Sequence, residues 1–144
     1  MGTPIVGKIL VVDDYADSRE MQAVFLEAAG YEVLVAELGR DALALARSHQ
    51  PAAIVMDIYM PEMDGIETTR CLRAEPALAT IPVIAYTARP AGVEGFEDLF
   101  DAVCAKPCPP EELLARIEGA VRARGGARHR GVSGRVPSTG GTPD

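Results

Sequence analysis

Short apolar runs alternate with amphipathic stretches along most of this chain. Such alternation is typical of strand–helix units arranged around a parallel sheet. The first run is continuous and rich in β-branched residues, as in a buried central strand, and it ends in Asp13 and Asp14. The second run is the weakest, which favours an edge position. The five predicted strands lie at residues 8–14, 32–35, 53–56, 82–86 and 102–105.

Amphipathic segments between these runs predict the helices. The first helix is expected to begin near Asp17, which has capping-box spacing to Glu20, and to end at Gly30. A second helix is predicted over residues 39–49, and a third ends near Arg73. The apolar residues of the first helix share one face: Met21, Val24, Phe25 and Ala28.

The last two helices differ in strength. A short helix is predicted between Val93 and Phe100. Pro110 suits the first turn of the final helix. Sheet-facing residues recur along that helix at helical spacing: Leu113, Leu114, Ile117 and Val121.

The chain length of 144 residues suits one compact domain. We predict that residues 1–7 form an N-terminal extension and that residues 8–122 form the domain. From Arg124 onward, Gly, Pro, Ser and Thr supply 12 of 21 residues, too polar a mixture to bury a core. Residues 123–144 are therefore predicted to be a flexible tail.

The predicted domain is strongly acidic. Residues 1–122 contain ten basic and twenty acidic side chains, a net charge of −10. This charge would repel a phosphate backbone, so direct nucleic-acid binding is not expected and a bound cation is favoured. The N-terminus has no export signal and the chain has no membrane span, which predicts a cytoplasmic protein. Cys71, Cys104 and Cys108 lack CxxC spacing and are expected to be reduced thiols with structural roles.

Polar residues end four of the five predicted strands. Asp13 and Asp14 end the first, Asp57 follows the third, Thr87 the fourth and Lys106 the fifth. The carboxyl ends of parallel strands share one edge of the sheet, where ligands bind. Any one of these residues alone is a weak signal, but five convergent ones predict a site.

Three carboxylates in one site repel one another strongly. At a separation of about 5 Å and an effective dielectric constant near 20, each pair costs roughly 3 kcal/mol. Either the acids point apart or are partly protonated, or a cation lies among them. Oxygen ligands suit Mg²⁺. Asp57 as nucleophile, Lys106 as cationic clamp and Thr87 as hydroxyl donor would then suffice for phosphoryl transfer.

Residues 8–122 resemble the receiver domain of bacterial response regulators. The resemblance rests on four motifs in order: the ILVVDD strand, Asp57 followed by MPEMDG, the YTA step at Thr87, and the Lys106–Pro107 pair. It implies an α/β, flavodoxin-like (βα)5 fold in three layers. The parallel sheet would have five strands in the order 2-1-3-4-5, and the fourth helix would be short.

The resemblance also implies roles for the site residues. Asp57 would be phosphorylated by a sensor histidine kinase or a phosphotransfer protein. Asp14, Asp57 and the backbone carbonyl of Tyr59 would bind Mg²⁺ directly, and Asp13 would bind it through water. The chain would be a signalling phosphoacceptor rather than an enzyme, acting on a downstream protein partner through conformational change. The Lys106–Pro107 bond is expected to be cis.

Two features depart from the usual receiver pattern. Val103 stands three residues before Lys106, where receivers usually carry a Tyr or Phe that swings inward on phosphorylation. The segment 89–105 is also a few residues short. We therefore expect at most a weak homodimer through the face that receivers build from their fourth helix, fifth strand and fifth helix.

Two bulky residues flank the expected path of attacking water. Tyr59 stands two residues after Asp57, and Arg89 stands two residues after Thr87. In this family these positions border the route to the acyl phosphate. We predict slow autodephosphorylation, unless both side chains point into solvent.

Other classes fit less well. A haloacid-dehalogenase-type phosphatase needs a second acid two residues after the nucleophile, where this chain has Tyr59. The GxxxxGK[ST] motif of P-loop enzymes is missing, and a flavodoxin needs a phosphate-binding loop where Asp13 and Asp14 would repel the ligand. The remaining alternative is a degenerate receiver that binds proteins without being phosphorylated.

Overall fold

The computed structural model describes residues 7–131 of the chain, with side chains as far as residue 124. Five strands alternate with helices, as the hydrophobic pattern predicts. The strands are β1 (Lys8–Val12), β2 (Glu32–Ala36), β3 (Ala53–Asp57), β4 (Val83–Thr87) and β5 (Ala102–Ala105). The α-helices are α1 (Ala16–Ala28), α2 (Gly39–His49), α3 (Gly65–Ala74) and α4 (Pro110–Gly131).

All strands form one parallel sheet in the order β2-β1-β3-β4-β5. The predicted flavodoxin-like order 2-1-3-4-5 is therefore confirmed, and β2 lies at an edge as expected. The order changes direction beside β1, so the connections after β1 and β3 leave the sheet on opposite sides. A crevice for ligands forms at such a point, beyond the carboxyl ends of the strands.

Each face of the sheet buries its own hydrophobic core. In β1, Leu10 and Val12 point toward α2 and α3, whereas Ile9 and Val11 point toward α1 and α4. This period of two places every β1 residue from Ile9 onward in one core or the other. The continuous apolar runs noted in the sequence thus reflect a sheet that is covered on both faces.

The orientation of α1 differs from the sequence prediction. The helix begins at Ala16 without a side-chain cap, and its buried residues are Gln22 and Leu26. Met21 and Val24 of the predicted inward face are instead 61% and 69% exposed. Gln22 faces inward because it binds a buried carboxylate, as described below, and this contact outweighs the apolar pattern.

Two short 3-10 helices replace an α-helix between β4 and β5. They span Pro90–Val93 and Glu97–Leu99, so the segment is short and irregular as expected. Arg73 contacts both the end of this segment and the loop before β4. Arg73 of α3 donates hydrogen bonds of 2.7–3.1 Å to the backbone oxygens of Ala79, Ile81 and Leu99 and to the carboxylate of Asp101.

The last helix continues beyond the predicted domain end at Arg122, to Gly131. Within this extension Arg124 forms a 2.7 Å ion pair with Asp101. The limits 8–122 of the domain remain a prediction. Residues 1–6 of the predicted extension and residues 132–144 of the predicted tail lie outside the described residues. Within residues 7–131, no helix has the length and apolar character needed to cross a membrane.

The prediction of three reduced cysteines is wrong for two of them. Cys104 at the end of β5 and Cys108 before α4 are joined in a disulfide, whereas Cys71 is free. The loop between the first two turns back on itself, so their Cα atoms lie 5.9 Å apart. The pairing depends on the path of the loop rather than on any local motif.

Candidate functional site

Four parallel strands bring the predicted site residues to one edge of the sheet. Asp13 follows β1, Asp57 ends β3, Thr87 ends β4 and Lys106 follows β5. The strand register aligns these ends, since Asp57 pairs with Tyr86 and Thr87 pairs with Ala105. The convergence expected from the sequence is therefore present.

Three carboxylates form an acidic pocket at this edge. One oxygen from each of Asp13, Asp14 and Asp57 lies within 4.8 Å of the others. Asp13 and Asp57 are buried, whereas Asp14 is exposed. The alternative in which the acids point apart into solvent is excluded by this geometry.

Asp13 is held by a network of donors from α1 and the loop before it. One carboxylate oxygen accepts hydrogen bonds from Ser18 Oγ at 2.7 Å and Gln22 Nε2 at 3.3 Å, and the other accepts one from the Tyr15 backbone N–H at 2.9 Å. Arg19 donates to the Asp13 backbone oxygen. Sequence reasoning missed Ser18 and Gln22. Their i, i+4 spacing behind the acidic pair was the available signal.

Lys106 supplies the positive charge of the pocket. Its Nζ lies 3.4 Å from Asp13 Oδ2 and 3.8 Å from Asp57 Oδ1. The ammonium also lies over the ring of Tyr86, 5.1 Å from its centre, where the face of the ring attracts a cation. The Lys106 backbone N–H donates to the Thr87 backbone oxygen at 2.8 Å. The bond to Pro107 is cis, as expected.

The electrostatics of Asp57 reflect its position between these groups. The pKa of its carboxyl is raised from 3.8 to about 6, mainly by burial, with the nearby charges of Asp13 and Asp14 acting in the same direction. The Lys106 ammonium and the Tyr59 backbone N–H act in the opposite direction on this pKa. A carboxylate at this position is therefore destabilised until positive charge is added.

Thr87 is fully buried at the end of β4. Its hydroxyl oxygen accepts a hydrogen bond from the Arg89 backbone N–H at 3.0 Å. A hydroxyl can accept and donate at the same time, so this contact leaves the proton of Thr87 able to reach a ligand.

Tyr59 and Arg89 contact each other beside the pocket. The Arg89 guanidinium lies over the Tyr59 ring, 5.1 Å from its centre. On the far side Tyr59 lies against Gly92, where an added Cβ would collide with the phenol oxygen. The two side chains therefore pack on each other, although both are exposed to solvent.

The loop after Asp57 explains part of the MPEMDG motif. Asp64 caps α3 by accepting a hydrogen bond from the Glu67 N–H at 2.9 Å. Gly65 donates its N–H to the Ile58 oxygen at 2.9 Å and lies so close that an added Cβ would collide with the Asp57 backbone oxygen. Glycine is needed here for close approach, not for an unusual backbone angle.

The pocket has the donor set of a hard-cation site. Its ligand atoms are all oxygens, which suits Mg²⁺ or Ca²⁺ rather than a soft metal. Among the described side chains, the buried Gln22 Oε1 has no hydrogen-bond partner, and its amide nitrogen binds Asp13. An unpaired acceptor at this place fits a metal-bound water. The residues present therefore fit a divalent cation.

Comparison with known proteins supports a family assignment. The model of the response regulator receiver domain matches residues 9–118. The phosphate regulon transcriptional regulatory protein PhoB of Pseudomonas aeruginosa is 41% identical over 125 residues, which are 84% of this chain and 55% of that protein. The DNA-binding response regulator MtrA of Mycobacterium tuberculosis is 35% identical over 80% of this chain and 50% of its own length. The chain thus spans about half the length of these curated relatives.

Solved structures give the same result. The chemotaxis response regulator CheY4 of Vibrio cholerae superposes with a TM-score of 0.74 at 31% identity, over 82% of this chain and 99% of that one. The receiver domain of the Francisella response regulator 1452 has a TM-score of 0.74 at 29% identity, over 81% of this chain and 98% of that one. With its fold and its acidic pocket, this chain belongs to the response regulator receiver domain family.

Proposed function

We propose that the chain is the phosphoacceptor of a two-component phosphorelay and that Asp57 receives the phosphoryl group. The observation that carries this proposal is the placement of the buried Asp57 carboxylate 3.8 Å from the Lys106 ammonium, inside an acidic pocket. The donor would be the phosphohistidine of a sensor histidine kinase or of a phosphotransfer protein.

The transfer itself asks little of the protein beyond placement and charge. An oxygen of the ionised Asp57 forms a bond to phosphorus as the bond between phosphorus and the donor nitrogen breaks. Lys106 then balances charge on the phosphoryl oxygens, and the Thr87 hydroxyl donates a hydrogen bond to one of them. The partner's imidazole leaves with the electron pair of the broken bond.

Mg²⁺ is the cation we assign to the pocket. Asp14, Asp57 and the Tyr59 backbone carbonyl would hold it directly, and Asp13 would contact it through water. Two features support this division: Asp14 is exposed, whereas both oxygens of Asp13 already accept hydrogen bonds from the protein. When bound, Mg²⁺ neutralises charge on the transferring phosphoryl group.

The surface beside the pocket supports a protein donor. Tyr15, Met21 and Val24 are all more than 60% exposed and lie on α1 or at its start. Large apolar side chains so exposed are typical of a protein–protein contact. We propose that the kinase or phosphotransfer protein approaches over this end of the sheet, in the cytoplasm.

Signalling would follow from rearrangement around Thr87 and Lys106, which are already linked through their backbones. A downstream protein partner would read this change. Since Val103 replaces the usual aromatic residue, the rearrangement must act through other side chains. The chain acts as a signalling domain and not as a classical enzyme, assisting only its own phosphorylation and slow dephosphorylation.

The direct test is incubation with Mg²⁺ and a small acyl-phosphate donor such as acetyl phosphate, followed by intact-mass measurement. We expect a single phosphoryl adduct that is lost in Asp57→Asn and absent when the metal is chelated. An undiminished adduct in Asp57→Asn would assign the acceptor elsewhere. No adduct in the unmodified chain would favour the degenerate receiver that binds proteins without phosphorylation.

A further inference from the structure

The disulfide between Cys104 and Cys108 encloses the lysine of the pocket. The two cysteines are four positions apart, and Lys106 is the middle residue of the five-residue loop that begins and ends with them. No part of the phosphoryl-transfer chemistry needs a sulfur atom. The pair is therefore a chemical feature that the proposed function leaves unexplained.

The loop closed by this disulfide carries two groups of the site. The Lys106 side chain reaches Asp13 and Asp57, and its backbone N–H donates to the Thr87 oxygen at 2.8 Å. Movement of the loop would therefore change the placement of the ammonium and of the strand end that presents Thr87. Both cysteines lie in the core on the α1 and α4 face, so the loop joins this core to the pocket.

We propose that Cys104 and Cys108 form a reversible disulfide that holds Lys106 in the site, so that the redox state of the chain sets its rate of phosphorylation. This inference rests on the proposed function. In the oxidised form the five-residue loop is a closed ring. In the reduced form the two sulfurs separate, the ring opens, and Lys106 has more freedom to leave the carboxylates.

The chemistry requires a two-electron oxidant of the disulfide class, such as oxidised glutathione. The Cys108 thiolate attacks one sulfur of the oxidant and expels a thiolate, which leaves a mixed disulfide on Cys108. The Cys104 thiolate then attacks the Cys108 sulfur and expels the second thiolate. The two protein thiols release two protons and two electrons, and the oxidant becomes two thiols. Cys108 reacts first because it is 8% exposed whereas Cys104 is fully buried.

A metal is the competing use for these sulfurs. Cys104, Cys108 and Glu112 each place one possible ligand atom within 4.8 Å of the others. Structural zinc sites generally have four protein ligands, and Glu112 already accepts a hydrogen bond from Arg116 at 3.1 Å. The disulfide uses both sulfurs and needs no fourth group, so the described residues favour it.

The test compares the full chain in two redox states. One sample is oxidised with oxidised glutathione and one is reduced with dithiothreitol; iodoacetamide alkylation and intact mass then count the free thiols. We expect one free thiol after oxidation and three after reduction. With Mg²⁺ and acetyl phosphate, the reduced chain should be phosphorylated about 3–10-fold more slowly, since small misplacement of a catalytic group has large effects on rate.

Matched variants separate this effect from general damage. Cys108→Ser should remove the redox difference and keep the slower rate, whereas Cys71→Ser should retain the full difference because Cys71 packs in the other core. Equal rates in the two redox states, with the disulfide verified by mass, would overturn the inference and leave the proposed function intact. Three free thiols after oxidation, or Zn²⁺ retained by the reduced chain through gel filtration, would also overturn it.

A readout that does not depend on phosphorylation completes the design. The backbone amide resonances of Lys106 and Thr87 should differ between the oxidised and reduced chain, because the loop that links them changes. If no phosphoryl adduct forms in either state, the proposed function fails. Identical Lys106 and Thr87 resonances in the two states would refute the redox inference independently.

Discussion

At the scale of single residues, the pocket combines two buried acids, one exposed acid and one cation. Asp57 shows the net result, since its pKa is raised to about 6. Burial and the charges of Asp13 and Asp14 together outweigh Lys106. The ionised Asp57 carboxylate is thus less stable than an exposed one. A divalent cation would stabilise it, and phosphorylation would replace it with an acyl phosphate.

The raised pKa of Asp57 predicts a pH-dependent stability. The pKa of Asp57 is higher in the folded protein than in the unfolded chain. The free energy of unfolding of the unmodified protein therefore falls as pH rises from about 4 to 6, and it stays below its acidic value at higher pH. With metal chelated, the free energy of unfolding of Asp57→Asn should rise relative to that of wild type by roughly 2 kcal/mol between pH 4 and pH 7, because one pKa unit corresponds to about 1.4 kcal/mol. Urea unfolding of both proteins measures this, and parallel stability curves would contradict it.

The stacking of Arg89 on Tyr59 predicts the lifetime of the phosphorylated state. Tyr59 stands two residues after Asp57 and Arg89 two residues after Thr87, so the stacked pair borders the pocket and water should reach the acyl phosphate slowly. Tyr59→Ala should shorten the half-life of the phosphorylated chain by about threefold to tenfold, or roughly 1 kcal/mol in the barrier, and Arg89→Ala should act in the same direction. Decay is followed by intact mass after removal of the donor.

A matched control for that lifetime is Val35→Ala, which changes an exposed residue on the edge strand β2. It should leave the decay rate unchanged. Loss of the adduct within seconds in the unmodified chain would refute the shielding role.

At the scale of secondary-structure elements, close backbone approach positions the site as much as side-chain chemistry does. The third helix starts directly against the end of β3, with Gly65 at the contact point. The first helix is turned by polar contacts, because Ser18 and Gln22 both bind Asp13. An element can thus be oriented by the site that it supports.

Gly65→Ala should disturb this contact. The new methyl group would meet the backbone of Asp57 and Ile58, which cannot move aside as a flexible side chain would. We expect a loss of about 1–3 kcal/mol in the free energy of unfolding, together with slower phosphorylation of the displaced Asp57. Denaturant unfolding and the acetyl phosphate assay measure the two effects.

The chain offers a matched glycine as the control. Gly119 lies inside α4, where an added Cβ meets nothing within 4 Å. Gly119→Ala should stabilise the protein by about 0.5–1 kcal/mol, since alanine is the better helix former, and leave phosphorylation unchanged. Equal effects of the two substitutions would show that Gly65 is not a point of close contact.

At the scale of the whole molecule, a receiver fold is combined with an altered output face. Two 3-10 helices stand where an α-helix is usual, and Val103 stands where an aromatic side chain is usual. Arg73 and Asp101 pin this region to α3, and Arg124 adds a second cation to Asp101. A face with less helix and tighter anchoring has less freedom to rearrange.

We therefore expect little dimerisation in response to phosphorylation. Light scattering of the full chain, with and without the phosphoryl mimic beryllofluoride, should give a monomer mass in both states at micromolar concentration. Binding of the mimic is verified on the same sample by fluorine NMR. A clear shift from monomer to dimer would contradict the prediction.

The sequence alone was sufficient for the strands, their parallel arrangement and the strand-end residues of the pocket. Continuous apolar runs and acids at strand ends are local signals, and the topology of a parallel sheet brings those ends together. The receiver resemblance added the strand order and the cis bond at Lys106–Pro107, both of which the structure contains.

Only the tertiary structure decided the rest. Met21 and Val24 form an apolar stripe, yet α1 buries Gln22 instead. The reason is that a buried Asp13 carboxylate without hydrogen-bond donors costs more free energy than exposing these two apolar side chains. The raised pKa of Asp57 likewise arises from burial and from acids brought near it by another strand, and the Cys104–Cys108 pair arises from the path of its loop. Local patterns determine the elements, whereas partners distant along the chain determine how those elements turn and how their charges behave.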